Sequence, residues 1–346
     1  MWFTSDNAAG AAPGVIEAMT RASEGPAMAY GDDAQTDRAS DMIRELFEAP
    51  AAAVRFVATG TAANALALAT LTPPWTAIWC HDHAHIEEDE CGAPEFYTGG
   101  AKLVKVGGAH GRMDRDALRA ALGVAEGASI HNVQKGALSL TQATEAGTVY
   151  SAADLAALAG AAKAAGVPVH LDGTRFANAI AATGASPAEM SWKIGVDILC
   201  LGFTKNGAPA AEAVVMFDES RVREFDLRRK RGGHLFSKMR FITAQVEAML
   251  EGGAWLRFAA HANAMAARLA EGLAGLPGVR ILHPVEANLV FVELPRAAHE
   301  AALAKGAAYH NWPAEGRPDH VGARLVASYA TREEDVDRLI AALKAG

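Results

Sequence analysis

The chain has 346 residues, 51% hydrophobic, 21% charged and 7% aromatic, and 40 acidic against 32 basic residues give a formal net charge of -8. This length carries one large domain and a smaller one around cores that need no cross-links, and the acidic balance excludes an extended basic face for nucleic acid. Three cysteines without a close-spaced pair, Cys80, Cys91 and Cys200, indicate neither a disulfide framework nor a cysteine zinc site. The segment 1–30 carries Asp6, Glu17, Arg21 and Glu24 without an apolar core, and no later apolar run approaches membrane-spanning length, so a soluble cytoplasmic protein is expected.

Short apolar runs at 54–58, 77–80, 103–106, 137–140, 167–171, 198–203 and 213–217 read as strands. Between them lie helix-like stretches at 62–71, 114–122, 152–165 after the cap Ser151, and 187–194 after the cap Ser186. The alternation predicts an α/β fold with a mostly parallel seven-stranded sheet covered by helices. Beyond 217 the pattern changes to long helices at 238–251 and 255–276, strands at 279–282, 288–293 and 324–328, and a last helix at 333–344. This predicts a large domain over 1–245, N-terminal arm included, and a smaller C-terminal α+β domain over 246–346.

The strand at 198–203 delivers Thr204 and Lys205 into the turn Asn206-Gly207-Ala208-Pro209. An ammonium is costly to take out of water, so a lysine at a buried strand end either reaches solvent or becomes an amine that attacks an aldehyde. The preceding strand ends in Asp172-Gly173-Thr174-Arg175. Two parallel strands thus bring a carboxylate and a lysine to one sheet edge, where open α/β sheets bind ligands. An aspartate facing a pyridine nitrogen, with a lysine as Schiff-base partner, is what a pyridoxal 5'-phosphate (PLP) enzyme requires. Thr59-Gly60-Thr61 joins the first strand to a helix, offering free amides to a phosphate, or serving simply as turn and cap.

His81-Asp82-His83-Ala84-His85 admits either a metal site or a single histidine stacked on an aromatic cofactor; no fixed carboxylate partner is evident, and no metal is assigned. Glu87, Glu88 and Asp89 read as a solvated face, whereas Glu90 is directed inward. The basic run Arg228-Arg229-Lys230-Arg231 reads as a solvated patch or as an anion contact to a neighbouring subunit. Arg324 stands in an apolar strand and needs a carboxylate partner.

Together Ser5-Asp6-Asn7, Tyr30-Gly31-Asp32-Asp33, Thr59 to Asn64, His85 to Glu90, Asp172 to Arg175 and Thr204 to Pro209 resemble the low-specificity L-threonine aldolases, including their phenylserine aldolase branch. The resemblance implies a PLP-dependent transferase fold of type I, a homodimer or homotetramer with shared active sites, and cleavage of L-threonine, L-allo-threonine or phenylserine-type amino acids to glycine and an aldehyde. It implies that Lys205 forms the Schiff base beside Thr204, Asp172 faces the pyridine nitrogen, Arg175 reaches the 3'-oxygen, Gly60 and Thr61 hold the phosphate, and His85 stacks on the ring. Ser5 and Arg324 would hold the substrate carboxylate beside Arg175, with Tyr30 reaching into the partner's site. Where many members carry a histidine, this chain reads Thr141-Gln142-Ala143-Thr144-Glu145. His85 is then the first candidate base for the β-hydroxyl proton, with Glu90 or Glu145 second. Other PLP chemistries, β-elimination or transamination, use the same cofactor residues, and a non-catalytic PLP-binding domain would use them without turnover.

Overall fold

A computed structural model describes residues 1–314 and 317–346. The seven apolar runs are the strands β1 (Ala53–Val57), β2 (Thr76–His81), β3 (Lys102–Val106), β4 (Gln134–Thr141), β5 (Val169–Gly173), β6 (Ile198–Gly202) and β7 (Glu212–Met216). They form one sheet in the order β1-β7-β6-β5-β4-β2-β3. The pairs from β6 to β3 are parallel, whereas β7 runs antiparallel to both β6 and β1.

Helices cover both faces, which is why the strands read as continuous apolar runs rather than alternating ones. Trp79, Leu138, Leu171, Leu199 and Val215 point to one core with Phe47, Phe56 and Phe176. Their neighbours Ile78, Ala137, Ile198, Cys200 and Val214 point to the other, against Leu66 and Leu68 of the helix Gly60–Leu71. The period of two along β5 therefore turns His170 and Asp172 toward that helix.

The helix expected at 187–194 is not formed. Ser186 and Glu189 do exchange backbone-to-side-chain bonds of 2.9 and 3.2 Å, but the turn does not propagate. Ser191 leaves helical geometry at φ -140°, ψ -104°, and its hydroxyl bonds the Pro187 carbonyl. Trp192 Nε1 then donates to the Phe47 carbonyl at 2.7 Å, so a tertiary anchor replaces the second helical turn and only a short 3₁₀ turn, Trp192–Ile194, remains.

A second, antiparallel sheet contains β8 (Arg280–Ile281), β9 (Leu289–Pro295), β10 (His310–Trp312) and β11 (His320–Val326) in the order β10-β11-β9-β8. It packs with the helices Ala254–Ala274, Arg296–Ala304 and Glu333–Lys344 around Val290, Leu294, Leu325 and Leu339. Phe3 inserts in this second core, and its amide and carbonyl bond Ala308 and Val326 at 2.8 and 2.9 Å. The anchor fixes Ser5 and Asp6 two and three residues further on. No helix among the described residues is long and apolar enough to cross a membrane.

Candidate active site

Asp172 and Lys205 do come to one edge of the sheet. β5 and β6 are adjacent and parallel, with Asp172 opposite Cys200, and Lys205 lies just past the end of β6. Asp172 is buried and accepts the Thr174 amide at 3.0 Å, the Thr174 hydroxyl at 2.6 Å and Asn64 Nδ2 at 2.9 Å. Burial pushes its carboxyl up, but the nearby His85 and the Thr174 bonds outweigh that and hold it below the ordinary aspartate range. Behind it on the same face, His170 sits between Ser139 Oγ (3.0 Å) and Cys200 Sγ (3.3 Å), and burial pushes it down to about 4.

The Lys205 turn is tightly braced. A Cβ on Gly207, at φ +118°, would lie 2.7 Å from Ala12 Cβ, while the Ala12 amide donates to the Gly207 carbonyl at 2.7 Å. Asn206 Nδ2 donates to the Trp255 carbonyl at 2.7 Å. Thr204 Oγ1 accepts the Ala211 amide at 3.1 Å, closing the turn. Lys205 itself is half-buried and makes no hydrogen bond or ion pair among the described residues.

Asn64 links two carboxylates, since its Nδ2 also donates to Glu90 Oε1 at 2.9 Å, and Glu90 Oε1 bonds His85 Nδ1 at 2.8 Å. The left-handed turn at Cys91 (φ 51°) and Gly92 (φ 72°) lets Glu90 fold inward while Glu87 and Glu88 stay outside. Burial pulls the His85 ring down, but Glu90, Glu145 and Asp172 together raise it above the ordinary histidine range. Burial likewise pushes Glu90 up, against the bonds from His85 and Asn64. The other two histidines point elsewhere: His81 Nε2 lies 3.2 Å from the Gly108 carbonyl and His83 pairs with Glu88 at 2.8 Å. No group of three or more metal-ligating side chains occurs among the described residues.

Arg175 is buried and pairs with Asp6 through Nε at 2.8 Å and Nη2 at 3.2 Å, with Glu145 3.9 Å from Nη1. Burial opposes the Asp6 charge, yet Arg175 and Lys205 hold its carboxyl below the ordinary range. Asn288 Nδ2 donates to Asp6 at 3.0 Å. Ser5 Oγ caps the first turn by accepting the Asn7 amide at 3.1 Å. Arg324 is half-buried on β11 with its Nε buried and unpartnered, and its guanidinium carbon is 6.0 Å from the Trp312 ring centre. Burial and the positive Arg175 lower it, against Glu145 and Asp6. An arginine in this condition lacks the anion its donors require.

At the helix Gly60–Leu71, Thr59 Oγ1 accepts the Ala62 amide at 3.2 Å, which leaves the Gly60 and Thr61 amides without protein acceptors among the described residues. A Cβ on Gly60 would lie 3.6 Å from Thr174 Oγ1, so this turn borders the Asp172 loop. Tyr30 stays apart, exposed, with Lys230 4.8 Å from its ring and its amide on the Ser237 carbonyl. Within the basic run, Arg228 bonds Glu224 and the Tyr97 carbonyl, and Arg229 is buried against the Phe56 carbonyl.

Of the residues that bond within this cluster, Asp6 and Asn64 enter the sequence reading only inside quoted motifs, without a role of their own, and His170 is not singled out there. Asn64 in Gly60–Leu71 and His170 in β5 each carry a weak local signal, a polar residue within an apolar segment.

A sequence profile for Beta-eliminating lyase matches residues 3–297. A low specificity L-threonine aldolase of Pseudomonas aeruginosa is 44% identical over 337 residues, covering 97% of this chain and 95% of the relative. A second, from a Pseudomonas species, is 42% identical over 343 residues, 99% of this chain and 97% of the relative. The solved structure of Leishmania major threonine aldolase superimposes with a TM-score of 0.92 at 27% identity, over 99% of this chain and 98% of that one.

Proposed function

This chain belongs to the Beta-eliminating lyase family, and on that footing we propose that it cleaves β-hydroxy-α-amino acids reversibly to glycine and an aldehyde with PLP as cofactor. It is a carbon–carbon lyase of the threonine aldolase type, on the type I fold of PLP enzymes. The observation that carries the site reading is the placement of Lys205 and Asp172 at the ends of two adjacent parallel strands.

The residues present fit PLP. Among the described residues Lys205 is an amine without a hydrogen-bond or ion-pair partner, Asp172 is a buried carboxylate bonded by neutral donors, and the Gly60 and Thr61 amides have no protein acceptor. Lys205 would bond the aldehyde, Asp172 the pyridine nitrogen, Arg175 the 3'-oxygen through Nη1, and Gly60 and Thr61 the phosphate, with Thr204 shaping the turn and His85 lying on the ring. When bound, the cofactor supplies an electron sink for the Cα–Cβ bonding electrons.

The chain's own groups do the rest. Arg324 and Ser5 hold the substrate carboxylate, which fixes the Cα substituents and selects the bond that breaks. His85 takes the β-hydroxyl proton. Its Nδ1–H is committed to Glu90, leaving the Nε2 lone pair as acceptor, and because the ring is raised this neutral form is reached only above the ordinary histidine range. Tyr30, exposed and apart from its own cluster, would serve a second copy of the chain.

Incubation of the PLP-loaded protein with L-threonine, L-allo-threonine and L-phenylserine is expected to yield glycine and the matching aldehyde in equal amounts. Keto acid and ammonia instead would make the chain a β-eliminating or transaminating enzyme. Arg324→Gln is expected to raise KM for every amino acid by about 10²-fold, the loss of roughly 3 kcal/mol from a charged hydrogen-bonded pair. PLP binding should be unchanged; an unaltered KM in that variant removes Arg324 from the carboxylate site.

A further inference from the structure

His110 and His283 stand outside the Lys205 cluster and come from different parts of the fold. His110 lies in the 3₁₀ turn Ala109–Gly111 after β3, and His283 two residues past the end of β8, at the rim of the second sheet. Their Nδ1 atoms are 3.0 Å apart. A neutral imidazole carries one N–H and one lone pair, so two facing nitrogens either share a proton or turn two lone pairs toward one Lewis acid.

Both backbones are held by the same loop, 144–149. The Thr148 hydroxyl donates to the His110 carbonyl at 2.7 Å, the Ala287 amide donates to the Gly147 carbonyl at 3.0 Å, and Glu286 Oε2 accepts the Val149 amide at 2.7 Å. His110 is left-handed, at φ 57° and ψ 38°, a conformation that a residue other than glycine keeps only where its surroundings impose it. The His283 ring stands edge-on to Phe291 with centroids 5.4 Å apart, which limits its swing. Arg112, two residues along from His110, is 3.6 Å from Glu286, so that cation is compensated.

We propose that His110 and His283 form a binding site for a divalent ion of the borderline class, Zn²⁺, Ni²⁺ or Cu²⁺, where the turn after β3 meets the second sheet. Two nitrogens about 2.05 Å from one ion are about 2.9 Å apart at a right angle and about 3.3 Å apart at the tetrahedral angle. The observed 3.0 Å lies between, so a small rotation of each ring aims both lone pairs at one point. Imidazole selects these ions over Mg²⁺ and Ca²⁺, which take oxygen ligands. Water completes the coordination, since no third metal-ligating side chain joins the pair among the described residues. The ion ties the Ala109–Gly111 turn directly to the 283–287 segment, a link now made only through the loop that carries Glu145. The site is independent of the proposed reaction.

The test is calorimetric titration of Zn²⁺ into the untagged, chelator-treated, PLP-loaded, full-length chain, with the melting temperature followed alongside. One ion per chain is expected at this site, with a melting temperature that climbs with free Zn²⁺, because an ion that binds only the folded chain stabilises it. Loss of a mere second-shell partner weakens metal binding by about 10- to 100-fold, so removal of one of two ligands should do at least that. His110→Asn tolerates the left-handed backbone, His283→Phe keeps a ring on Phe291, and each is expected to lose the ion and the Zn²⁺-dependent rise in melting temperature. Mg²⁺ should give no response. Wild-type protein that binds no Zn²⁺ overturns the proposal, which requires no variant to fold. Undiminished affinity in either variant overturns it as well, since the ion then sits on other groups, and so does an equal response to Mg²⁺, which places the ion on carboxylates.

Discussion

Lys205→Ala is expected to abolish covalent attachment of PLP and to cut turnover by on the order of 10⁴-fold or more, as removal of a covalent nucleophile does in other enzymes. The effect is chemical and not a matter of folding. Among the described residues the Lys205 side chain has no hydrogen bond or ion pair to break, and the turn is held instead by Gly207 against Ala12 and by Asn206 on the Trp255 carbonyl. Its removal leaves Asp6, which loses the pull of that charge, still bonded by Arg175 and Asn288, so stability should stay within about 1 kcal/mol of wild type. Borohydride reduction followed by peptide mass spectrometry reads attachment, and glycine release reads turnover. Undiminished glycine release from the alanine variant would remove the lysine from the chemistry altogether.

Asp172→Asn is expected to lower the rate of glycine formation by about 10²- to several 10³-fold, because it neutralises the carboxylate that would face the cofactor's pyridine nitrogen, and neutralising one partner of a buried charge pair costs about 3–5 kcal/mol. The variant should fold. An asparagine oxygen still accepts the two Thr174 bonds, and Asn64, whose Oδ1 is buried and unpartnered, can turn its amide to receive the new NH₂ group. That rotation takes Nδ2 away from Glu90, so His85 loses part of its support and the pH profile of turnover shifts with the rate. The absorbance of bound PLP and glycine release, followed together, check it. Wild-type turnover in Asp172→Asn would show that the pyridine nitrogen is bonded elsewhere.

The site was legible to the degree that it is built from strand ends. β5 and β6 are largely apolar runs, with Asp172 next to the last residue of β5 and Lys205 just past the end of β6, so both could be placed at one sheet edge from the sequence. Helix starts were legible where the cap is local: Asp114 and Ser151 bond their own first turns at 2.8 and 3.1 Å. The turn at Ser186 carries the same signal and fails to become a helix because Trp192 is anchored to Phe47, a contact between segments 145 positions apart. The helix Phe176–Thr183 escaped notice for a related reason. It is buried over most of its surface and so lacks the polar face that periodicity detects.

What the sequence determined by itself was therefore the sheet, the order of its strands along the chain, and the two reactive groups at its edge, since burial on both faces forces apolar runs and loops must break them. What only the tertiary structure decided was how those groups are wired. Asp6 meets Arg175 across 169 positions, Asn64 joins Asp172 to Glu90 from the helix Gly60–Leu71, and Arg324 is left without an anion among the described residues. Hydrogen bonds and desolvation depend on distances of a few ångströms between segments that nothing in their local composition ties together, and the fold alone sets those distances.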